Sequence, residues 1–180
     1  MEPLSGFIKK LADALTKKGL DYAFTGALAA SYYGVPRTTA DIDVLVSACR
    51  KDTKNKLASA LRSVGLQVEE KKIDDALTSG YNIATFTCKD APYRVDIILT
   101  EQIQKRRGTI ADIDTFVQAP EELITAKLRM IKATLEPERT LKDEEDVKAI
   151  IIFTQVDRAS IAKQATREGT LEIWKRLLSD

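Results

Sequence analysis

Two aspartates one residue apart, Asp41 and Asp43, stand in an otherwise apolar run, Asp-Ile-Asp-Val-Leu-Val. Side chains alternate along an extended chain. A strand over 41–46 therefore sends both carboxylates to one face and Ile42, Val44 and Val46 to the other. The apolar set can enter a core. The acidic set puts two like charges side by side, which favours protonating one of them unless a cation is near. A hard divalent ion such as Mg²⁺ meets that demand, because carboxylate oxygens suit it. A solvated strand end shows the same short pattern, so the pair gains meaning only from what accompanies it.

Four polar side chains elsewhere sit on, or lean toward, faces where apolar ones are expected. Asp96 is flanked by Val95 and Ile97 in a strand-like stretch over 93–99, with Arg94 on its own face. If that strand lies beside the Asp41 strand, three carboxylates converge; otherwise Asp96 pairs with Arg94 or another base at a strand edge. Lys127 falls inside the helical stripe of Leu123, Ile124, Leu128 and Ile131, and a lysine on a packing face must snorkel or meet an anion. Asp143 and Asp146 precede Val147 and Ile150 at helical spacing, so both lean toward an apolar face. Asp143 reads equally well as a helix N-cap.

The 180 residues contain no histidine. This excludes His-based acid–base catalysis, Ser-His-Asp and Cys-His nucleophiles and ordinary His-containing zinc sites, and leaves carboxylates, Lys, Arg, Tyr, hydroxyls and Cys. Cys49 and Cys88 form no spaced motif and read as a reduced pair. A net charge of +1 predicts no strong nucleic-acid field, although Lys105-Arg106-Arg107 forms a local basic run. The N-terminus has no signal layout and no apolar run approaches membrane-spanning length, so no membrane association and a cytoplasmic location are expected.

Around these residues the hydrophobic pattern predicts the elements that position them. An amphipathic helix runs from Leu4 and stops at Gly19. A strand over 22–25 leads to Gly26, which turns into a small apolar helix over 27–33. Such a junction either aims backbone N–H groups at an anion or is a tight turn needing a residue without Cβ. In the loop 34–39, Arg37 offers a planar fork for phosphate oxygens and Thr39 lies two residues before Asp41.

Next come a helix over 55–64, a short strand at 66–68 and a polar irregular stretch at 74–80. Strands over 82–89 and 93–99 are joined by a hairpin turn. A short helix over 101–107 and an edge strand at 115–117 follow. Beyond Pro120 the pattern is helical, over 120–134, 157–167 and 171–178. The expected fold is α+β, a mixed twisted sheet flanked by helices over 1–119, followed by a C-terminal helical segment over 120–180.

Taken together, Gly26-Ala27, Asp41-Ile42-Asp43 and Asp96 resemble the nucleotidyltransferase superfamily of the DNA polymerase beta type. The closer likeness is to the small prokaryotic branch that includes the AbiEii-type toxins. That branch has G-x-x-A…G-x-x-R-x-T-x-D-I-D, which spans Gly26 to Asp43 here. It also has P-E-x-L-x-x-x-K, here Pro120 to Lys127, and K-D-x-x-D, here Lys142 to Asp146.

The resemblance implies an enzyme that transfers a nucleotidyl group from an NTP, such as ATP, to an acceptor hydroxyl and releases pyrophosphate. It implies two Mg²⁺ ions, with Mn²⁺ as a substitute, clamping the reacting oxygens. Asp41 and Asp43 would hold both ions and Asp96 the one that activates the acceptor. Gly26, Arg37, Thr39, Lys127 and Asp146 would surround the nucleotide. Ala27 stands where the family has Gly or a phosphate-binding Ser, which moves phosphate contact to backbone N–H groups, Thr39 or Arg37. Implied acceptors are a tRNA or other RNA, a protein hydroxyl or a small molecule, and a toxin-like relative implies an antitoxin-like protein partner. Lys105-Arg106-Arg107 would touch an RNA backbone. The alternative is a catalytically silent module of the same fold that binds NTP or RNA.

Overall fold

The structure is a computed structural model that describes residues 3–35, 39–89 and 91–179. The chain divides into two compact units. One comprises Met1–Leu28 with Thr38–Gln118, and the other comprises Ala29–Arg37 with Ala119–Asp180.

The first unit holds a six-stranded sheet. Its strands are β1 (Tyr22–Phe24), β2 (Asp41–Ser47), β3 (Ile83–Thr87), β4 (Arg94–Thr100), β5 (Lys105–Ile110) and β6 (Ile113–Gln118). They lie in the order β3-β4-β2-β1-β6-β5. Pairing is mixed: β2 and β4 are parallel, as are β1 and β6, and the other three pairs are antiparallel. The expected α+β class with a mixed sheet is the one found.

Period-two alternation decides which face of β2 and β4 is dry. Ile42, Val44, Val46, Val95, Ile97 and Leu99 are buried, and the residues between them are partly or fully exposed. Helix α1 (Leu4–Lys17) adds Phe7, Ile8, Leu11 and Leu15 to the core, and α3 (Thr53–Ser63) adds Leu57 and Leu61. The short helix α2 (Gly26–Tyr32) begins directly after β1.

Four local expectations are corrected. The stretch 101–107 is not a helix; Lys105–Ile110 is an edge strand paired with β6. Its outward side chains are charged, and a strand exposed on one side needs no apolar alternation. The strand at 113–118 is consequently interior, between β1 and β5. The polar stretch at 74–80 belongs to α4 (Glu70–Thr78), which buries just Ile73 and Ala76, too few apolar positions to show a helical stripe. Leu66 makes an isolated bridge to Cys88 rather than a strand.

The second unit consists of α5 (Pro120–Ala133), α6 (Pro137–Phe153), α7 (Arg158–Glu168) and α8 (Leu171–Ser179), with the second half of α2. Leu123, Ile124, Leu128, Val147, Ile150, Ile161 and Trp174 are buried in it. Helix α7 has Asp157 as N-cap, its side chain accepting from the Ser160 N–H, and ends on left-handed Gly169. Among the described residues no helix is long and apolar enough to cross a membrane.

Candidate active site

Asp41 and Asp43 share the wetter face of β2, as the alternation requires. Thr39 sets the start of this strand. Its hydroxyl donates to the Asp41 carbonyl at 2.9 Å and accepts from the Asp41 N–H at 3.0 Å. Arg37 lies outside the described residues.

Asp43 is fixed from the β1 side. The Thr25 N–H donates to the Asp43 carbonyl at 2.9 Å, and the Thr25 hydroxyl donates to Gln118 Oε1 at the end of β6. The next residue, Gly26, has φ +58°, a left-handed conformation that favours glycine. A Cβ at residue 26 would lie 2.0 Å from Asp43 Oδ2 and 2.8 Å from its Cγ. The tight turn that needs a residue without Cβ is present, and the space it leaves is filled by the Asp43 carboxylate.

Asp96 lies on β4, directly in register with Asp43 on the parallel neighbour β2, and Arg94 is in register with Asp41. The adjacency on which three converging carboxylates depended is thus present. Their side chains are disposed less simply. Arg94 donates to Asp96 through Nε to Oδ1 at 3.2 Å and Nη2 to Oδ2 at 2.9 Å. Thr85, opposite Asp96 on β3, donates to Oδ1 at 2.6 Å. The Arg94–Asp96 pair foreseen from the sequence therefore forms, but in the sheet interior rather than at an edge. Arg94 feels all three acids. Its guanidinium is held protonated above its ordinary range first by the hydrogen bond to Asp96, then by the charges of Asp96, Asp41 and Asp43.

Among the described residues no three acidic, His or Cys side chains are already gathered around one point. The donor set nonetheless fits a hard divalent ion. Asp41 and Asp43 offer oxygen ligands from one strand face, Asp43 is seated in a space only glycine leaves, and Asp96 stands one strand away.

In the second unit Lys127 is 7% exposed and Asp146 2%. The lysine Nζ lies 2.8 Å from Asp143 Oδ1 and 2.6 Å from Asp146 Oδ2. The lysine on a packing face thus meets anions, and they are the two aspartates that lean inward from α6. Asp143 is not an N-cap, because α6 begins at Pro137, more than a turn upstream. The basic run at 105–107 is partly engaged: Lys105 pairs with Asp21, donates to the Tyr22 carbonyl at 3.2 Å and stands 3.9 Å from the Phe116 ring centre. Thr85, like Thr25 and Gln118, has no role in the sequence reading; its position opposite Asp96 depends on a strand register that no local pattern reveals.

No protein-family model and no curated protein matches the chain. Solved structures do. The solution structure of the antibiotic-resistance factor ANT(2″)-Ia matches with a TM-score of 0.66 at 14% identity, over 96% of this chain and 96% of that one. Its crystal structure in complex with adenylyl-2″-tobramycin gives a TM-score of 0.69 at 14% identity, over 91% and 98%. An antigenic nucleotidyltransferase-like protein from Paracoccidioides brasiliensis gives 0.60 at 16% identity, over 97% and 92%. At these identities the likeness is one of fold, and the fold of this chain is that of the nucleotidyltransferases.

Proposed function

We propose that the protein is a Mg²⁺-dependent nucleotidyltransferase that moves NMP from an NTP to an acceptor hydroxyl. The observation that carries this reading is the register of Asp43 against Asp96 on parallel strands, with the Asp43 carboxylate seated over Gly26. Residues 1–119 are taken as the catalytic core and 120–180 as the C-terminal helical segment.

Asp41, Asp43 and Asp96 would hold magnesium, or manganese in its place. The ion would supply charge neutralisation for the triphosphate and the departing pyrophosphate. The acceptor oxygen attacks the α-phosphorus, the bond to the bridging oxygen of the β-phosphate breaks, and pyrophosphate leaves. In a chain without histidine, the group available to take the acceptor proton is a carboxylate, and Asp96 is assigned that part. Contact to phosphate is assigned to the Gly26 backbone, Arg37 and Thr39. Lys127, held by Asp143 and Asp146 within its own unit, is assigned to neutralising triphosphate charge, and Asp146 to orienting it.

ANT(2″)-Ia, bound to an adenylylated antibiotic, shares the fold over most of both chains, which supports a small hydroxylated acceptor. An RNA end and the AbiEii-like branch, with an antitoxin-like partner, rest on the sequence motifs alone. The test is incubation with each α-labelled NTP and, in turn, total RNA, a protein mixture and aminoglycosides. Label transfer is expected to one acceptor class and to be lost in Asp43→Asn at unchanged circular dichroism. Transfer by Asp43→Asn at the wild-type rate overturns the assignment. Mg²⁺-dependent NTP binding without any product leaves the silent binding module as the reading.

A further inference from the structure

A basic side chain stands among the three carboxylates, and the proposed chemistry gives it no task. Arg94 grips both oxygens of Asp96 and faces Asp41 across the β2–β4 ladder. The two oxygens of Asp96 are not equivalent. Oδ1 also accepts from Thr85, whose place is fixed by the β3–β4 register, whereas Oδ2 accepts from Arg94. The two partners differ in freedom as well: the Arg94 side chain is 51% exposed and the Asp96 side chain 15%. The guanidinium can therefore swing into water without unpacking the core, while the carboxylate stays where the sheet puts it.

We propose that Arg94 is a resident counter-cation of the carboxylate site, which neutralises Asp96 and its neighbours until a divalent ion replaces it. On this account its departure frees Oδ2, while Thr85 keeps the carboxylate aimed. The inference rests on the reading of Asp41, Asp43 and Asp96 as the metal-holding set. It follows from competition: a guanidinium and a divalent ion seek the same carboxylate oxygens, and they repel each other when both are present. Arg94 thus acts on metal affinity as a positioning and competing residue. A lysine there would keep the charge but lose the fork that spans both oxygens.

Calorimetric titration with Mn²⁺ tests this on wild type, Arg94→Gln, Arg94→Lys, Asp43→Asn and Asp96→Asn, with metal-free melts to show each is folded. Arg94→Gln is expected to bind Mn²⁺ about 3- to 10-fold tighter than wild type, the size of an exposed ion pair plus relief of like-charge repulsion. Arg94→Lys should fall between the two. In an Asp96→Asn background the gain from Arg94→Gln should drop below about 2-fold, because the shared carboxylate is gone. If Arg94→Gln and Arg94→Lys bind no tighter than wild type, while Asp43→Asn still abolishes binding, the counter-cation role is overturned and the metal site stands. If neither wild type nor Arg94→Gln binds Mn²⁺, the metal site itself fails, and this role with it.

Discussion

Arg94 in the first unit and Lys127 in the second are each set against aspartates, and the two arrangements differ in their access to water. Lys127 and Asp146 are almost fully enclosed by α5 and α6, with Asp143 close behind. Arg94 stands half in solvent, fanned over a carboxylate on an interior strand. Taking one partner from an enclosed pair leaves a buried charge that has lost its counter-ion, and that loss costs more than the pair is worth. At a wet site the same loss is repaired by water and salt. The Lys127 group is therefore a fixed post, and the Arg94 group is an exchangeable one.

The sharpest way to break this contrast is Lys127→Met, which takes the lysine away from Asp143 and Asp146 while both carboxylates stay turned inward. It is expected to cost about 3–5 kcal/mol in urea unfolding. Adding Asp146→Leu in the same chain should restore more than half of that loss; if the double variant is no better than the single, the enclosed charge is not the cause.

Gly26→Ala comes next. The left-handed backbone costs an alanine about 1–2 kcal/mol. Its Cβ would also displace the Asp43 carboxylate, so nucleotidyl transfer should fall about 100-fold, more than the stability loss alone explains. Wild-type turnover in a folded Gly26→Ala protein would show that the seat of Asp43 does not matter.

Arg94→Gln should cost less than about 1 kcal/mol, and less again in 1 M salt, whereas the penalty of Lys127→Met should persist there. Equal salt sensitivity of the two variants would erase the distinction between post and exchangeable ion.

The smallest effect lies away from both clusters, in the two-residue turn of the β5–β6 hairpin. Ile110 pairs with Ile113, and Ala111 and Asp112 both have positive φ, 50° and 63°. Asn-Gly suits such a turn, so Ala111→Asn with Asp112→Gly should raise stability by about 0.5–1 kcal/mol in thermal or urea unfolding.

What could be read in the sequence follows from how local its cause is. The faces of β2 and β4 were legible because alternation alone assigns Asp43 one way and Val44 the other. Lys127 was legible because a charge inside an apolar stripe violates the helical period. Strand β5 was misread because Arg106 and Arg107, neighbours in sequence, are both exposed and leave no alternation, and α4 because two buried positions cannot show a period. Asp143 was taken for a possible cap because the first turns of α6, from Pro137, are polar and hide where the helix begins. The grip of Thr85 on Asp96 was out of reach, since it depends on the pairing of β3 with β4 and on no motif.

The parallel pairing of β2 with β4 bears on the order of events during folding. Hairpins such as β5–β6 close over a few residues, but Asp43 meets Asp96 only after a loop of about fifty residues has closed. The tie between Thr25 and Gln118 spans 93 positions. Contacts of this range are repaid late, after the chain has already lost the entropy of bringing distant segments together. A partly folded chain can thus carry finished helices and hairpins and still lack the carboxylate cluster. Pulse-labelled amides of β2 and β4 would then gain protection after those of β5 and β6, with the carboxylate-bearing face completed among the last events of folding.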